Sequence, residues 1–117
     1  MSRIVATPLE VDTTLAALAD PVRRALVDRL RRGPARSSEL ADSLDLPRST
    51  VSKHLAVLRR AGLIDERVLA DDARGRELAL RRQAFAALRG WLAEVEAMWT
   101  EELAAFKRHA ERGRSRR

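Results

Sequence analysis

The sequence predicts a mainly α-helical single domain that carries one small β-hairpin. Its 117 residues are about the length of one domain, and a composition of 45% hydrophobic and 34% charged residues is typical of a globular protein. Apolar residues recur at helical spacing before residue 62 and after residue 81, whereas the segment between them resembles two short strands around a turn. A long apolar stripe on one side marks the last helix.

The first two helices are predicted from spacing and from capping signals. In residues 9–18 the apolar side chains stand three or four positions apart, as on one face of a helix. Asp20 followed by Pro21 is typical of a helix start, because aspartate accepts hydrogen bonds from free backbone amides and proline fits the first turn. Gly33 and Pro34 then predict the end of the second helix.

Residues 37–61 predict two helices joined by a short turn, which is the helix-turn-helix arrangement. The third helix begins at Ser37 or Ser38, both good capping residues. The fourth helix extends from about residue 48 to residue 61, and Gly62 ends it.

The segment after Gly62 predicts a hairpin. Residues 63–70 and 76–80 resemble strands, and residues 71–75 form the turn between them. A helix-turn-helix followed by such a hairpin is a winged helix, so residues 63–80 are the predicted wing.

The last predicted helix, residues 82–111, has an apolar face too wide for a helix that packs on one side only. All four aromatic residues of the chain lie in this face, which spans an arc of about 140°. We expect it to pair with the same helix of a second copy and with the first helix. The predicted dimer interface consists of Val11, Leu15, Leu18, Leu88, Trp91, Leu92, Val95, Trp99, Leu103 and Phe106.

The alternative for the apolar face of the last helix is a pocket for an apolar small molecule, lined by Trp91, Met98 and Trp99. Residues 1–111 form the domain, and residues 112–117 are predicted to be a flexible basic tail.

The net charge of +6 is unevenly distributed. Residues 107–117 carry +5, residues 47–60 carry +4 without any acidic residue, and residues 83–106 carry −3. A net positive charge favours binding to a nucleic acid, a membrane surface or an acidic partner. The position of the +4 on one short helix favours double-stranded DNA.

The outer face of the fourth helix has the chemistry of a DNA-reading surface. Small polar and basic side chains lie opposite its apolar face, so the backbone can approach a major groove while cations meet base edges or phosphates. The residues expected at DNA are Arg48, Ser49, Ser52, Lys53 and Arg60 on the helix and Arg74 and Arg76 on the wing. Acidic residues balance the wing arginines, so we expect the wing to contribute less than the helix.

Four motifs resemble the ArsR-type winged helix-turn-helix regulators in order and spacing: ALADPVRRAL (residues 17–26), SELA (38–41), STVSKHL (49–55) and LRRAGLI (58–64). The resemblance covers residues 13–81. It implies a homodimeric bacterial transcription factor in the cytoplasm, associated with the nucleoid, whose first and last helices form the dimer. It also implies that Thr50 and His54 lie with Ser49 and Ser52 at the DNA.

Two positions depart from the family pattern. Pro47 stands where a serine or threonine commonly caps the fourth helix, so proline geometry is expected to set its first turn. Asp45 stands where glycine is usual in the turn, and aspartate tolerates the left-handed conformation.

Several functions are not expected from this sequence. The chain has no cysteine and only two histidines, His54 and His109, so we expect neither thiol chemistry nor a metal site. It has no phosphate-binding loop, nucleophile–base set or paired catalytic carboxylates, so we expect no enzyme and no cofactor. No apolar run is long enough for a membrane span, and no signal peptide is visible.

Two alternatives remain open on the sequence. A protein-interaction module, such as an adaptor or antirepressor, would use the same helices without reading DNA, although it has no reason to keep an acid-free basic helix. A small-molecule effector is possible, but its identity does not follow from these residues.

Overall fold

The computed structural model describes residues 9–68 and 75–115. Within these ranges its architecture is the predicted winged helix-turn-helix, mainly α-helical with a small sheet and a long last helix. The elements in chain order are α1 (Leu9–Ala17), α2 (Pro21–Leu30), β1 (Ala35–Arg36), α3 (Ser37–Leu44), α4 (Arg48–Arg60), β2 (Ile64–Val68), β3 (Arg76–Leu80), a 3₁₀ turn (Arg82–Phe85) and α5 (Ala86–Ser115).

Helix α2 begins where the sequence predicted. The Oδ1 atom of Asp20 accepts hydrogen bonds from the backbone amides of Val22 at 2.8 Å and Arg23 at 3.3 Å, and Pro21 is the first helical residue. These amides have no partner inside the helix, so the aspartate satisfies two groups that would otherwise need water.

Helix α3 begins differently from the expectation of a serine cap. Arg36 is the residue before the helix, and its backbone amide donates to Glu39 Oε1 at 3.2 Å. Ser37 is already helical, because the chain enters α3 directly from strand β1.

The turn between α3 and α4 confirms both expectations about the unusual residues. Asp45 adopts the left-handed conformation, with φ 52° and ψ 49°, while the amide of Leu46 donates to the carbonyl of Ala41 at 3.0 Å. Pro47 precedes α4 with φ −59° and no side-chain cap, and its carbonyl accepts from the amide of Val51 at 3.1 Å. The fixed proline φ thus sets the first turn.

The sheet contains a strand that the sequence did not predict. Its three antiparallel strands have the order β1-β3-β2, and β1 consists of two residues, with Ala35 opposite Leu78. Two residues are too few for a periodic pattern. The predicted strand 76–80 is confirmed, whereas β2 covers Ile64–Val68 of the predicted 63–70, and residues 69–74 of the turn lie outside the described ranges.

The core lies between the helix-turn-helix and the sheet. It is formed by apolar side chains from α2, α3, α4 and the strands, and a partly buried ring including Leu44, Leu46 and Phe85 surrounds it. The largest fully buried side chains are Leu26, Leu40, Leu58, Leu63, Ile64, Val11 and Val51. Because α4 presents three of its residues to this core, its opposite face must point outward.

Helix α5 begins and ends four residues later than predicted, and its 30 residues equal the length of the predicted range 82–111. A 3₁₀ turn occupies residues 82–85, and the helix then continues to Ser115, four residues beyond the predicted end at residue 111. Residues 112–115 of the predicted flexible tail are therefore helical here, and residues 116–117 lie outside the described ranges. The beginning of α5 packs against α1, and the rest of the helix extends away from the core.

Candidate nucleic-acid interface and subunit face

The outer face of α4 is exposed as the sequence predicted. Val51, Leu55 and Leu58 point into the core. On the opposite side the exposed residues are Ser49, Ser52, Lys53 and Arg60. Helical geometry brings these four predicted DNA contacts together on one continuous surface, and the fifth, Arg48, is exposed on the flank at the first residue of the helix.

The charges of α4 fall into two groups. Among the described residues, no carboxylate lies within 4.0 Å of the cationic groups of Arg48 or Lys53. Arg59, by contrast, donates to Glu66 Oε2 on β2 at 3.1 Å, and Arg60 Nε donates to the carbonyl of Ala56 at 3.4 Å. One of the four positive charges therefore attaches α4 to the wing, and the charges of Arg48 and Lys53 remain available for phosphates.

His54 contacts the beginning of α2, and its predicted place at the DNA stays a prediction. Its side chain is 20% exposed and faces the beginning of α2, where its Nδ1 atom lies 4.0 Å from Asp20 Oδ1 and 3.4 Å from Arg23 Nη1. At about 100° per residue His54 stands on the flank of α4. Thr50, from the same family motif, is half-buried.

The pKa of Asp20 reflects its place beside this histidine. Burial on its own would raise the pKa of the carboxyl group. Hydrogen bonds from the backbone amides of Arg23 and Val22, together with the positive charge of Arg23 and that of His54 when its ring is protonated, outweigh burial and hold the pKa below its ordinary value of 3.8. Asp20 is therefore ionised and caps α2 at neutral pH.

The wing contributes one described DNA candidate. Arg76 is exposed on β3, with its Nη1 atom 3.8 Å from Glu66 Oε1. Glu66 thus lies between Arg76 and Arg59, a link between wing and helix that the sequence did not reveal, because the partners stand seven and ten positions apart. The other wing candidate, Arg74, lies outside the described residues.

Helix α5 presents five of its seven predicted dimer residues to solvent. Trp99 is 62% exposed. The other large apolar side chains exposed on this helix are Leu92, Val95, Met98, Leu103 and Phe106. They are joined on α1 by the exposed Leu15. Met98 and Trp99 are exposed on the helix surface, and the alternative, a pocket for an apolar small molecule lined by Trp91, Met98 and Trp99, stays a prediction.

Three of the predicted dimer residues are half-buried, and one is fully buried. Leu18 packs against the core, and Leu88 and Trp91 are partly covered. Val11 is 0% exposed. It cannot touch a second subunit, so its assignment to the interface is corrected. The spacing on α1 showed that Val11 and Leu15 share a face, but only the packed chain shows which one the domain already covers.

Two further features bear on ligands. A cleft of about 550 Å³ lies where α1, the end of α4 and the start of α5 meet, and Thr13, Gly62 and Gln83 are among its lining residues. Within residues 9–68 and 75–115 no group of three or more histidine, aspartate or glutamate side chains is placed to hold a metal ion.

None of the helices in these ranges combines the length and apolarity that a membrane span requires.

These features define a class of protein. A helix-turn-helix whose second helix exposes a polar and basic face, followed by a hairpin wing, is the architecture of winged-helix DNA-binding proteins.

Comparisons with known proteins narrow the class. A family model described as a helix-turn-helix domain matches residues 18–67. The chain is 38% identical over 95 residues to the HTH-type transcriptional regulator Rv2034 of Mycobacterium tuberculosis, covering 81% of this chain and 83% of that protein. The crystal structure of an ArsR family transcriptional regulator matches with a TM-score of 0.67 and 37% identity, covering 78% of this chain and 97% of that one.

A third relative matches over a shorter stretch. The HTH-type transcriptional repressor SmtB of Mycobacterium tuberculosis is 42% identical over 67 residues, which cover 57% of this chain and 46% of that protein. Together these findings show that the chain belongs to the ArsR family of helix-turn-helix transcriptional regulators. It is a DNA-binding regulator of transcription.

Proposed function

We propose that this protein is a homodimeric repressor that reads an inverted-repeat operator through the outer face of α4. The observation that carries the proposal is this exposed face, which presents two serines and two cations that have no carboxylate partner among residues 9–68 and 75–115. Small side chains at the start of a recognition helix let its backbone approach the base edges. The proposed DNA contacts are Arg48, Ser49, Thr50, Ser52, Lys53, Arg60 and Arg76, with Arg74 on the part of the wing outside the described residues.

The exposed apolar face of α5, together with Leu15 of α1, supports the dimer. Monomeric proteins rarely leave so many large apolar side chains in one exposed stripe, and a second copy of the chain covers them without any further partner. Residues 83–106, which include the first two thirds of α5, carry −3 and disfavour contact of that part with DNA phosphates, whereas α4 carries the opposite sign. A two-fold axis through α5 would place two α4 helices on successive major grooves, about 34 Å apart along the DNA.

Repression follows if the operator overlaps a promoter, because a bound dimer excludes RNA polymerase. The name of the relative SmtB as a repressor supports this direction of control. We propose that the protein acts in the bacterial cytoplasm on the nucleoid, where its DNA target lies, without a cofactor or catalytic activity. A small organic effector would have room in the cleft between α1, α4 and α5.

The test begins with selection of genomic fragments by the purified protein, which identifies an operator. The double variant Ser52→Ala/Lys53→Glu is then titrated with a labelled operator duplex and with a scrambled duplex. Loss of two groove contacts should lower operator affinity at least about thirtyfold, since good base contacts are worth about 1–3 kcal/mol each and about 1.4 kcal/mol corresponds to a factor of ten.

The matched control is Lys107→Glu, which makes the same charge change at an exposed position of α5. It should bind the operator within about threefold of wild type in the presence of salt, because it lies outside the reading face. Wild-type affinity should fall with salt by about 0.9 log units per log unit for each phosphate neutralised. Normal operator binding by the double variant, or equal loss in the control, would overturn the assignment of α4.

A further inference from the structure

One side chain on α2, that of Arg23, joins α1 to α4. Its Nε atom donates to the carbonyl of Ala17 at 2.5 Å, and its Nη2 atom donates to the carbonyl of Ala16 at 3.2 Å. The third guanidinium nitrogen, Nη1, lies 3.4 Å from Nδ1 of His54 on α4. Three helices therefore meet at one planar, permanently charged group.

The contacts to α1 satisfy the end of that helix. The last carbonyls of a helix lack partners within the helix and carry the negative end of its dipole, so a cation is stabilised there, and the Ala16 carbonyl accepts from the amide of Ala19 at 3.3 Å as well. Arg24 has a similar role, since its Nη1 atom donates to the carbonyl of Leu18 at 2.8 Å. Arg24 is exposed and has no described contact with α4, which distinguishes it from Arg23.

The contact to α4 selects the tautomer of the neutral His54 ring. A guanidinium group can only donate hydrogen bonds, so Nδ1 of the histidine must accept, and the single proton of the neutral ring then belongs on Nε2. Asp20 Oδ1, 4.0 Å from the same nitrogen, is already engaged with two backbone amides of α2. Of the charged groups facing His54, Arg23 therefore makes the directed contact and Asp20 supplies a nearby negative charge.

These contacts connect the two surfaces of the proposed function. Helix α1 packs against α5, which carries the proposed subunit face, and α4 carries the proposed DNA face. We propose that Arg23 is a positioning residue: by holding His54 Nδ1 and the end of α1 together, it fixes the angle of α4 relative to the dimer helices. The DNA consequence rests on the proposed function, whereas the contact itself can be tested without DNA.

The first arm of the experiment is nitrogen-15 NMR of the two histidine rings in the full-length protein. At a pH where both rings are neutral, His54 should be present as one tautomer with its proton on Nε2. The variant Arg23→Lys should shift His54 toward a mixture of tautomers, because lysine cannot reach α1 and α4 in the same geometry. The exposed His109 is the internal control and should not change.

The second arm measures operator and scrambled-duplex affinities of a double-mutant cycle. Arg23→Lys and His54→Leu should each lower operator affinity about tenfold, with little change on the scrambled duplex, because misplacing α4 affects the base contacts more than the general charge. The combined variant should be no weaker than the weaker single variant. His54→Asn should recover affinity to within about threefold of wild type, since the asparagine oxygen takes the place of Nδ1 as the acceptor.

The control variant is Arg24→Lys, which disturbs the end of α1 without touching α4 and should keep operator affinity. A wild-type His54 without a single tautomer, or additive losses in the cycle, would overturn the proposal. So would a His54→Asn variant as weak as His54→Leu, which would assign His54 to direct DNA contact through Nε2. If wild type binds operator and scrambled duplex equally while NMR still shows the single His54 tautomer, the proposed DNA reading is refuted but the contact between Arg23 and His54 is supported.

Discussion

Replacing Trp99 with glutamate tests the subunit face. Trp99 is 62% exposed in the single chain, so the fold of the subunit does not depend on its burial. A tryptophan side chain offers about 250 Å², so about 150 Å² of Trp99 is free to be buried by a partner. At about 25 cal/mol per Å², burial of this area contributes about 4 kcal/mol per ring.

Each substitution occurs twice in the symmetric dimer, once in each subunit. Loss of both rings therefore exceeds about 4 kcal/mol, and the added carboxylates also have to be desolvated or exclude the partner. We expect the dimer dissociation constant to rise at least about a thousandfold, since about 1.4 kcal/mol corresponds to a factor of ten.

Sedimentation across a range of protein concentrations measures the change. The matched control is Ala97→Glu, because Ala97 is exposed on α5 about 160° from Trp99 around the helix axis. The control should sediment as the wild-type dimer, and circular dichroism should show that both variants remain folded. A Trp99→Glu protein that stays dimeric at the lowest concentrations would refute the interface, as would equal dissociation of the control.

Three further predictions concern stability. Leu58→Ala, at a fully buried core position, should lower the free energy of unfolding by about 2–5 kcal/mol in a denaturant titration, and a loss below about 1 kcal/mol would contradict the core assignment. Gly62→Ala should destabilise the protein by about 1 kcal/mol or more, because φ at Gly62 is +75°. Gly90→Ala should stabilise it by about 0.5–1 kcal/mol, because Gly90 lies within α5 and faces open space. The opposite order of melting temperatures in thermal unfolding would be inconsistent with these geometries. The folded pKa of Asp20 is below 3.8, so its contribution to stability is present above pH 3.8 and is lost as the pH falls through the folded value. The melting temperature of wild type should therefore exceed that of Asp20→Asn near neutral pH, and this difference should shrink at acidic pH. An unchanged difference between the two proteins across that range would show that the ionised carboxylate does not stabilise the fold.

Local signals were sufficient for most of the helices. Asp20 and Pro21 begin α2 as predicted, and Asp45 and Pro47 shape the turn before α4, because capping and backbone restriction act between residues a few positions apart. The same holds for the exposed face of α4, since helical periodicity alone sets which side chains lie opposite the core. The family resemblance rests on these same segments.

Contacts distant in sequence were not accessible to that reasoning. Strand β1 exists because Ala35 and Arg36 meet β3 some 40 residues later, and Glu66 lies near Arg76 only after the hairpin has formed. Such pairs leave no periodic signal, because the partners are selected by the fold and not by spacing.

The sequence by itself determined the class of this protein and the chemistry of its reading helix, since both follow from periodicity, capping residues and side-chain type. Only the tertiary structure decided how individual side chains divide between these surfaces and the interior. Val11 lies in the core while Leu15, on the same helix, remains exposed, and His54 turns toward Arg23 while its neighbour Lys53 faces outward. Burial and partner choice depend on what the other helices place beside each residue, and that arrangement exists only once the chain has folded.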